Sequence, residues 1–366
     1  MAYRVTQIEP YVGQEELNNL IKVIENKWLT EGPFSKEFLS IIKEFTGSKH
    51  ALLTNNGTLA LYLALKAVGI KADDEVIVPD FTFNASGSSV VFAGGKPVFI
   101  DVDESTFNID VEKIEGLITP RTKAIMPVHV YGQSADMDPI LKLAKKHQLK
   151  IVEDAAQGYG VFYKGSHTGT IGDVGTISFF ADKTVTTGEG AVILTNSDAV
   201  YDNLRYLRNQ GRLSSGSFIH EEMGMNFRVT DLQSAVGVAQ LKKFRNIEKI
   251  KSNHLSTYKE LLEGMPEIEF QKKAEYSNIV PFRASIKVKD PSQLMSYLDD
   301  RGIQIRGFFY PLHRQPCFNY LGYNENDFPV TNKLNATGLC LPVHCGLSKD
   351  DILYVCDMIK EFYAQK

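Results

Sequence analysis

Residues 51–69, Ala51-Leu-Leu-Thr-Asn-Asn-Gly-Thr-Leu-Ala-Leu-Tyr-Leu-Ala-Leu-Lys-Ala-Val-Gly69, combine a short apolar run with a longer helical one. The first four residues have the β-rich composition of a strand. Residues 58–68 are apolar on nearly every side and end at Gly69, as expected for a buried helix with a glycine C-cap. A strand that leads through a short polar turn into a buried helix is the building unit of an α/β fold.

The same alternation continues along the chain. From about Lys49 to Asn196, β-rich apolar runs alternate with helical stretches, which predicts a large mixed, mostly parallel sheet covered by helices. The further runs are Glu75–Pro79, Pro97–Asp101, Ala124–Val128, Lys150–Asp154, Thr176–Phe180 and Ala191–Thr195.

The pattern becomes helical after Asn196. Thr230 and Asp231 cap an apolar-striped helix, and a charge-rich helix is predicted from about Asn246 to Leu262. Strand-like and helical pieces follow it. We therefore expect a large domain over residues 1–245 and a smaller C-terminal α/β domain over residues 246–366, packed closely enough to share a site.

Composition excludes several classes of protein. The 366 residues carry 40 Lys and Arg against 44 Asp and Glu, a net charge of −4, so no basic field is available to hold nucleic acid. Four cysteines in the last fifty residues form no zinc-binding pattern, and we expect no metal. No signal segment or membrane-length apolar run is present, and we expect a cytoplasmic protein without a membrane partner.

Common nucleotide-binding motifs are missing. The sequence has no GxxxxGK[ST], and Gly158-Tyr-Gly160 lacks the third glycine of a dinucleotide fingerprint. The ATPase and simple NAD-enzyme interpretations therefore lose their main support. Polar residues do follow several of the predicted strands, at the edge where open α/β sheets bind ligands.

The turn Asn55-Asn-Gly-Thr58 is the first of these polar groups. It lies between a strand and the buried helix, where free backbone N–H groups and the helix dipole can hold a phosphate. Gly57 permits close approach and Thr58 adds a hydroxyl. An ordinary helix cap explains the same residues.

The segment Glu153-Asp-Ala-Ala-Gln157 is the second. An apolar strand delivers Asp154 to the edge of the sheet, and a buried carboxylate there needs a cationic partner. The protonated ring nitrogen of a cofactor is such a partner. The alternative is that Asp154 caps the next helix.

The third segment runs from Thr176 to Gly190, a strand that ends near a solitary lysine and a glycine-bounded turn. A partly buried Lys183 can lose its proton and form a Schiff base with an aldehyde. A solvated surface lysine is the alternative. Ser178 is a second candidate for phosphate binding or an ordinary strand serine.

Other candidates lie further along the chain or between these segments. Asn226 and Arg228 precede a capped helix and could bind an anion or contact another subunit. Phe83 follows a strand and offers a flat face that could stack on a ring, although core packing explains it too. His129 and His313 are candidates for substrate contact or proton transfer, or structural histidines.

In order along the chain, these segments resemble the DegT/DnrJ/EryC1/StrS family of pyridoxal-phosphate-dependent sugar aminotransferases. The resemblance covers essentially the whole chain. The matching motifs are Asn56-Gly-Thr58, Pro127-Val-His-Val-Tyr-Gly-Gln-Ser-Ala-Asp-Met-Asp138, Glu153-Asp-Ala-Ala-Gln157, Ser178-Phe-Phe-Ala-Asp-Lys183, Thr187-Gly-Glu-Gly190 and Gly224-Met-Asn-Phe-Arg228.

The resemblance implies the fold of aspartate aminotransferase and a role for each matching residue. Lys183 links covalently to pyridoxal 5'-phosphate, Asp154 pairs with the pyridine nitrogen, and Gln157 lies beside the ring hydroxyl. The phosphate is held by Gly57, Thr58 and Ser178, Phe83 stacks on the ring, and Asn226 reaches the phosphate of a neighbouring subunit. An obligatory homodimer with shared active sites follows. Catalytic roles fall on Lys183, Asp154 and His129, and substrate contacts on Glu189, Arg228 and His313.

Three further segments, Lys27-Trp-Leu-Thr30, residues 118–127 and Phe308-Phe-Tyr-Pro-Leu-His313, are similar to those of GDP-perosamine synthases and related 4-aminotransferases. That similarity implies transfer of the amino group of L-glutamate, through the pyridoxamine 5'-phosphate form, to the C4 ketone of a nucleotide-linked 4-keto-6-deoxyhexose. For the sugar diphosphate, the candidate cations are Arg228, Arg306 and Arg314. Gln157 departs from this subgroup, which often has Glu there.

Two alternatives stay open. One is an aminotransferase for a 3-keto sugar or for a keto sugar without a nucleotide. The other is a non-catalytic protein that binds a nucleotide sugar or regulates a partner on the same fold.

Overall fold

The computed structural model of the protein describes residues 3–212, 216 and 218–366. A seven-stranded sheet dominates the first half. Its strands are β1 (His50–Thr54), β2 (Glu75–Pro79), β3 (Lys96–Ile100), β4 (Thr122–Ile125), β5 (Lys150–Asp154), β8 (Val174–Ser178) and β9 (Ala191–Thr195). Between β5 and β8, two short strands, β6 (Phe162–Tyr163) and β7 (Ser166–His167), form a separate two-stranded sheet.

The order across the large sheet is β1-β9-β8-β5-β4-β2-β3. Strand β9 is antiparallel to both of its neighbours, and all other neighbouring pairs are parallel. The prediction of a mixed, mostly parallel sheet is therefore confirmed. Every strand predicted from the apolar runs is present, although three of them end early: the run Pro97–Asp101 stops at Ile100, the run Ala124–Val128 at Ile125 and the run Thr176–Phe180 at Ser178.

Helices cover both faces of this sheet. They are α1 (Gln14–Glu25), α2 (Pro33–Thr46), α3 (Gly57–Ala67), α4 (Asn84–Phe92), α5 (Val111–Ile114), α6 (Met137–His147), α7 (Asp198–Arg208) and α8 (Asp231–Lys242). Helix α3 is the buried helix that the sequence predicts, and it packs in the core with residues of β2, β5 and β8. The side chain of Asn56 caps its first turn, and Gly69 adopts the left-handed conformation just after it ends.

The C-terminal part has its own sheet and core. Helix α9 (Phe244–Leu261) leads into an antiparallel sheet of order β10-β11-β13-β12, formed by Ile268–Phe270, Ala284–Val288, Gly338–Leu341 and Arg306–Gly307. Helices α10 (Pro291–Asp299), α11 (Pro329–Thr337) and α12 (Lys349–Ala364) complete this part. Val5, near the N-terminus, pairs with Ile303 and packs in the C-terminal core. The division into residues 1–245 and 246–366 stays a prediction.

The segment before β11 runs along the large sheet and positions part of the site. The N–H of Val280 donates to the carbonyl of Gly132 at 3.0 Å. The contact is so close that a Cβ on Gly132 would overlap the backbone of Val280, and Gly132 also has a φ of +87°. Phe282 and Arg283 follow directly. Within the described residues, no helix is both long and apolar enough to cross a membrane.

Candidate active site

Asp154 lies at the carboxyl end of β5, and its side chain is buried. The hydroxyl of Ser86 donates to one carboxylate oxygen at 2.7 Å, and the N–H of Ala156 donates to the other at 3.1 Å. The hydroxyl oxygens of Thr82 and Ser86 lie 3.0 Å apart, so a chain of hydroxyls from the start of α4 supports the carboxylate. These contacts orient Asp154 without giving it a cation, which leaves it able to pair with one.

Lys183 follows the neighbouring strand β8, whose Thr176 pairs with Asp154 in parallel register. Its ammonium lies 4.5 Å from the centre of the Phe282 ring and 4.0 Å from an oxygen of Asp182. Burial lowers the pKa of Lys183, and nearby Arg283 lowers it further, although Asp182 and Asp154 oppose both effects. A lower pKa increases the fraction of free amine, which is the nucleophilic form.

Gly57, Thr58 and Ser178 meet at the N-terminus of α3. A Cβ on Gly57 would lie only 3.1 Å from Cβ and 3.2 Å from Oγ of Ser178. In the described chain, the N–H groups of Gly57 and Thr58 have no hydrogen-bond acceptor, whereas that of Leu59 is capped by Asn56. The structure thus brings together two free N–H groups and two hydroxyls, a suitable set for a phosphate.

Gln157 lies one turn beyond Asp154 and is buried. Its side-chain oxygen accepts a 2.7 Å hydrogen bond from the backbone N–H of Tyr131, a residue in the left-handed conformation with φ of +54°. That bond fixes the orientation of the amide and leaves its NH2 group as the donor for a ligand oxygen.

The family's sequence profile matches residues 10–360. The chain belongs to the DegT/DnrJ/EryC1/StrS aminotransferase family. It is similar to the GDP-perosamine synthase of Caulobacter vibrioides, with 38% identity over 95% of both chains. It is 31% identical to the UDP-2-acetamido-2-deoxy-3-oxo-D-glucuronate aminotransferase of Pseudomonas aeruginosa over 89% of both.

Its structure is similar to the X-ray crystal structure of S. venezuelae DesV in complex with a ketimine intermediate. The TM-score is 0.91, with 32% identity over 95% of this chain and 94% of that one. This protein is therefore a pyridoxal-phosphate-dependent sugar aminotransferase with the predicted fold. The non-catalytic alternative loses its support.

The residues present in this aminotransferase fit pyridoxal phosphate. A Cβ added at Gly57 would crowd Ser178, so glycine at this position keeps the space beside Ser178 open. An open space is expected where a phosphate must approach the backbone closely. The buried carboxylate of Asp154 suits a protonated ring nitrogen, and Lys183 supplies an amine whose pKa is lowered. The role of each residue stays a prediction, since the fit rests on geometry.

Replacing Gly57 with alanine tests the phosphate site. Gly57 does not have a positive φ, so alanine fits the backbone and we expect the free energy of unfolding to change by less than about 1 kcal/mol. The added methyl crowds the phosphate, and the dissociation constant of pyridoxal phosphate should rise about tenfold. Fluorescence titration measures it. Gly116→Ala is the matched control, because a Cβ there meets nothing within 4 Å. Unchanged affinity in Gly57→Ala would place the phosphate elsewhere.

His129 does not join Lys183 and Asp154, although the sequence analysis assigns it a catalytic role. Glu153 and Asp154 are neighbours on β5, so their side chains point to opposite faces of the sheet. The ring of His129 contacts Glu153 and therefore lies on the face opposite to Asp154. One ring nitrogen of His129 lies 3.0 Å from a Glu153 oxygen, and the other accepts a 3.1 Å hydrogen bond from the N–H of Ala135. Both ring nitrogens of His129 therefore have partners within the protein. The catalytic role of His129 stays a prediction.

Glu153 is the buried carboxylate that pairs with this histidine. Burial raises the pKa of Glu153, but the hydrogen bonds from His129 and from the N–H groups of Gly172 and Gly169 together lower it below its ordinary value. The ionised carboxylate thus has a full set of donors, and it organises the loop that connects β7 to β8.

His313 packs against the end of β2. Its ring nitrogen Nδ1 lies 2.7 Å from one oxygen of Asp80, and its backbone N–H donates to the other at 2.7 Å. The ring stacks on Phe328, and burial raises the pKa of Asp80 although His313 opposes this effect. The pair joins the C-terminal part to the large sheet. The proposed substrate contact of His313 stays a prediction.

The remaining residues predicted for the site are more exposed to solvent than Asp154 and Gln157. Phe83 is 61% exposed at the start of α4, and Asn226 and Glu189 are exposed too. Asn55 donates to the carbonyl of Arg228 at 2.8 Å, which holds this segment beside the start of α3. Of the other two arginines proposed for the diphosphate, Arg306 is exposed and Arg314 pairs with Glu325.

Three contacts of the site have no signal in the local sequence. Ser86 supports Asp154 from 68 residues away. Phe282 and Arg283 approach Lys183 from the segment before β11, and Arg283 pairs with Asp182 across 101 residues. Neither the composition nor the spacing around these residues indicates such contacts. Among the described residues, no group of three or more His, Cys, Asp or Glu side chains could hold a metal ion.

Proposed function

We propose that this sugar aminotransferase transfers the amino group of L-glutamate to the C4 ketone of a nucleotide-linked 4-keto-6-deoxyhexose, as a GDP-perosamine synthase does. The 38% identity to the Caulobacter vibrioides enzyme over 95% of both chains carries this proposal. The lower, 31% identity to an enzyme named for a 3-oxo sugar makes amination at C3 the second candidate.

Bound pyridoxal phosphate supplies an aldehyde that condenses with amines and a ring that withdraws electrons from the bond being broken. The protein's residues prepare these reactions. Asp154 holds a proton on the ring nitrogen, while Gly57, Thr58 and Ser178 anchor the phosphate. Lys183 acts first as a nucleophile and then, once its amine is released, as the base and acid that moves a proton between two carbon atoms.

The position of Lys183 suits this second task. Its amine adjoins the face of the Phe282 ring, and within the described residues its ion pair with Asp182 is 4.0 Å long, so no short ion pair there holds its proton. A general base is most effective when its pKa lies near the working pH, and burial moves the pKa of Lys183 in that direction.

A substrate panel tests the proposal. The purified protein is incubated with 15N-labelled L-glutamate and with GDP-, dTDP- or UDP-linked 4-keto-6-deoxyhexoses, and mass spectrometry detects the labelled amino sugar. We expect 15N in the product of a 4-keto substrate, with the GDP form preferred. Matched 3-keto sugars are the comparison. Labelling of only a 3-keto sugar, or of only a sugar without a nucleotide, would overturn the C4 proposal and leave the aminotransferase activity standing.

We also propose a homodimer with shared active sites. Phe83 and Asn226, both assigned to the cofactor, are exposed in the single chain, which is consistent with a site completed by another subunit. Helix α1 adds a surface of exposed apolar side chains, Leu17, Ile21 and Ile24.

Mixing two inactive variants tests the shared site. Lys183→Ala and Asn226→Ala dimers are unfolded and refolded together, so that half of the resulting dimers are hybrids. If Asn226 serves the neighbouring site, each hybrid has one intact site, and activity should recover to about a quarter of the wild-type value. Recovery should not occur when either variant is refolded alone. A monomer by light scattering, or no recovery in a confirmed hybrid, would contradict the proposal.

A further inference from the structure

A small cavity of about 20 Å³ adjoins Lys183. Side chains from the N-terminal segment, from the loop after β8, from α8 and α9, and from the C-terminal part all line it. Its ionisable lining residues are Glu9, Tyr11, Asp182, Lys183, Lys251, Arg283, His344 and Cys345. The cavity therefore brings together several ionisable groups, three of them buried (Lys251, Arg283 and His344), next to the residue that we propose to bind the cofactor.

Asp182 is a half-buried carboxylate among these groups, and its two oxygens lie at different distances from their cations. Arg283 approaches one oxygen at 2.5 Å, whereas the Lys183 ammonium is 4.0 Å from the other. Both cations also contact the same ring: the Arg283 guanidinium carbon is 4.1 Å and the Lys183 nitrogen 4.5 Å from the centre of Phe282. The close ion pair thus belongs to Arg283, and Lys183 has only a distant one.

The two partners differ in the ability to lose a proton. Arginine stays protonated at any physiological pH, whereas a buried lysine readily becomes neutral. A carboxylate that already pairs with a buried arginine has less effect on a second cation, and the arginine itself repels that cation. The arrangement favours the uncharged form of Lys183.

We propose that Arg283 is a positioning residue for the reaction: by pairing with Asp182, it keeps the amine of Lys183 uncharged and nucleophilic. The proposal rests on the role of Lys183 in the proposed function. It goes beyond that role because it makes the protonation of the Lys183 amine depend on two other side chains. Asp182 lies in the loop after β8, and Arg283, 101 residues later, lies just before β11.

The other charged groups facing this pair do not change the direction of the effect. Lys251 on α9 is 5% exposed, and burial lowers its pKa to about 8, with a further lowering by Arg283. Any charge it retains adds to the positive field. Asp154 opposes the effect from the side of the sheet, but a cofactor ring nitrogen would compete for its charge. Glu9 is exposed and therefore screened by water, and burial lowers the pKa of His344, which favours its neutral form.

Two substitutions should shift Lys183 in opposite directions. Arg283→Met removes a positive charge and frees Asp182 for Lys183, so the pH at which half of the Lys183 amines are uncharged should rise by about one unit. Asp182→Asn removes the carboxylate and leaves the arginine, so the same midpoint should fall. The double variant, which removes both charges, should lie between the two.

The measurement follows Lys183 itself. The full-length chain, freed of cofactor with hydroxylamine, is treated with trinitrobenzenesulfonate between pH 6 and pH 11, and mass spectrometry of the Lys183 peptide gives the rate at each pH. At pH 7.5 we expect Arg283→Met to react about tenfold more slowly than the wild type and Asp182→Asn to react faster. Arg121→Met is the matched control, because Arg121 pairs with Glu75 far from the site.

The outcomes are distinguishable. Circular dichroism first establishes that each variant is folded. An unchanged midpoint in folded Arg283→Met would overturn the proposal, and so would a rise of the midpoint in Asp182→Asn. If Arg283→Met does not fold, Asp182→Asn alone decides. Because the probe reads the lysine amine and needs neither keto sugar nor turnover, failure here leaves the proposed function untouched, and failure of the sugar assay leaves this result interpretable.

Discussion

The Lys183→Ala variant should lose at least about 10⁴-fold in turnover, the largest effect expected of any single substitution in this protein. The substitution removes both the amine that condenses with the cofactor and the group that carries the proton during transfer. It should also abolish the absorbance band that a lysine-bound cofactor shows between 300 and 500 nm, a band that in the wild type should shift when L-glutamate is added.

The control is Lys242→Ala. Lys242 is an exposed lysine that pairs with Glu37, so its loss should leave both turnover and absorbance within the error of the wild type. Lys183 is half-buried and has no short ion pair within the described residues, so alanine should not destabilise the fold severely, and a thermal melt checks this. A folded Lys183→Ala protein that keeps substantial turnover would show that another amine performs the reaction.

Asp154→Asn should produce the second largest effect. Asparagine has nearly the same shape and can still accept the hydrogen bond from Ser86, so the site should stay assembled. It cannot hold a charge opposite a protonated ring. Breaking a buried ion pair costs about 3–5 kcal/mol, and if that loss falls on the transition state, turnover drops by about 10²- to 10⁴-fold.

Turnover and cofactor content are measured together on this variant, because a loss of affinity alone is corrected by saturating cofactor. Asp138→Asn is the matched control, since Asp138 is an exposed carboxylate that pairs with Lys164. If saturating pyridoxal phosphate restores full turnover to Asp154→Asn, then Asp154 serves binding only and does not stabilise the charged ring during the reaction.

Much of the architecture could be predicted from local sequence. Alternating apolar runs predicted each strand of the large sheet, and residues 58–68 predicted helix α3, because a buried strand or helix leaves a period in its apolar residues. The errors lie at strand ends. The run Thr176–Phe180 predicts a strand that continues through both phenylalanines, but β8 ends at Ser178, before the chain turns toward Lys183.

The site was predictable where its residues form contiguous motifs. Asp154 with Gln157, and Ser178 with Lys183, stand a few residues apart, and each motif follows a strand that the sequence also predicts. Parallel strands bring their carboxyl ends to one edge, so the motifs had to meet once the sheet was correct. The resemblance to a known family then supplied the roles.

His129 shows what such motifs leave undecided. It stands in a family motif near the same edge, yet it lies on the opposite face of β5 from Asp154, against Glu153. The face of the sheet on which the side chain of a strand-end residue lies depends on the strand register and on where the strand stops. A shift of one residue moves that side chain to the other face.

The fold class, the family and the order of motifs along the sheet edge could be predicted from the sequence, because these depend on local periodicity and short-range spacing. The side chains that support those motifs became known from the three-dimensional packing: Ser86 under Asp154, Arg283 beside Asp182, and Asp80 with His313, across 68, 101 and 233 residues. Such pairs carry no local signature, since a buried polar group requires a partner but its position in the chain is set by the packing of the whole fold.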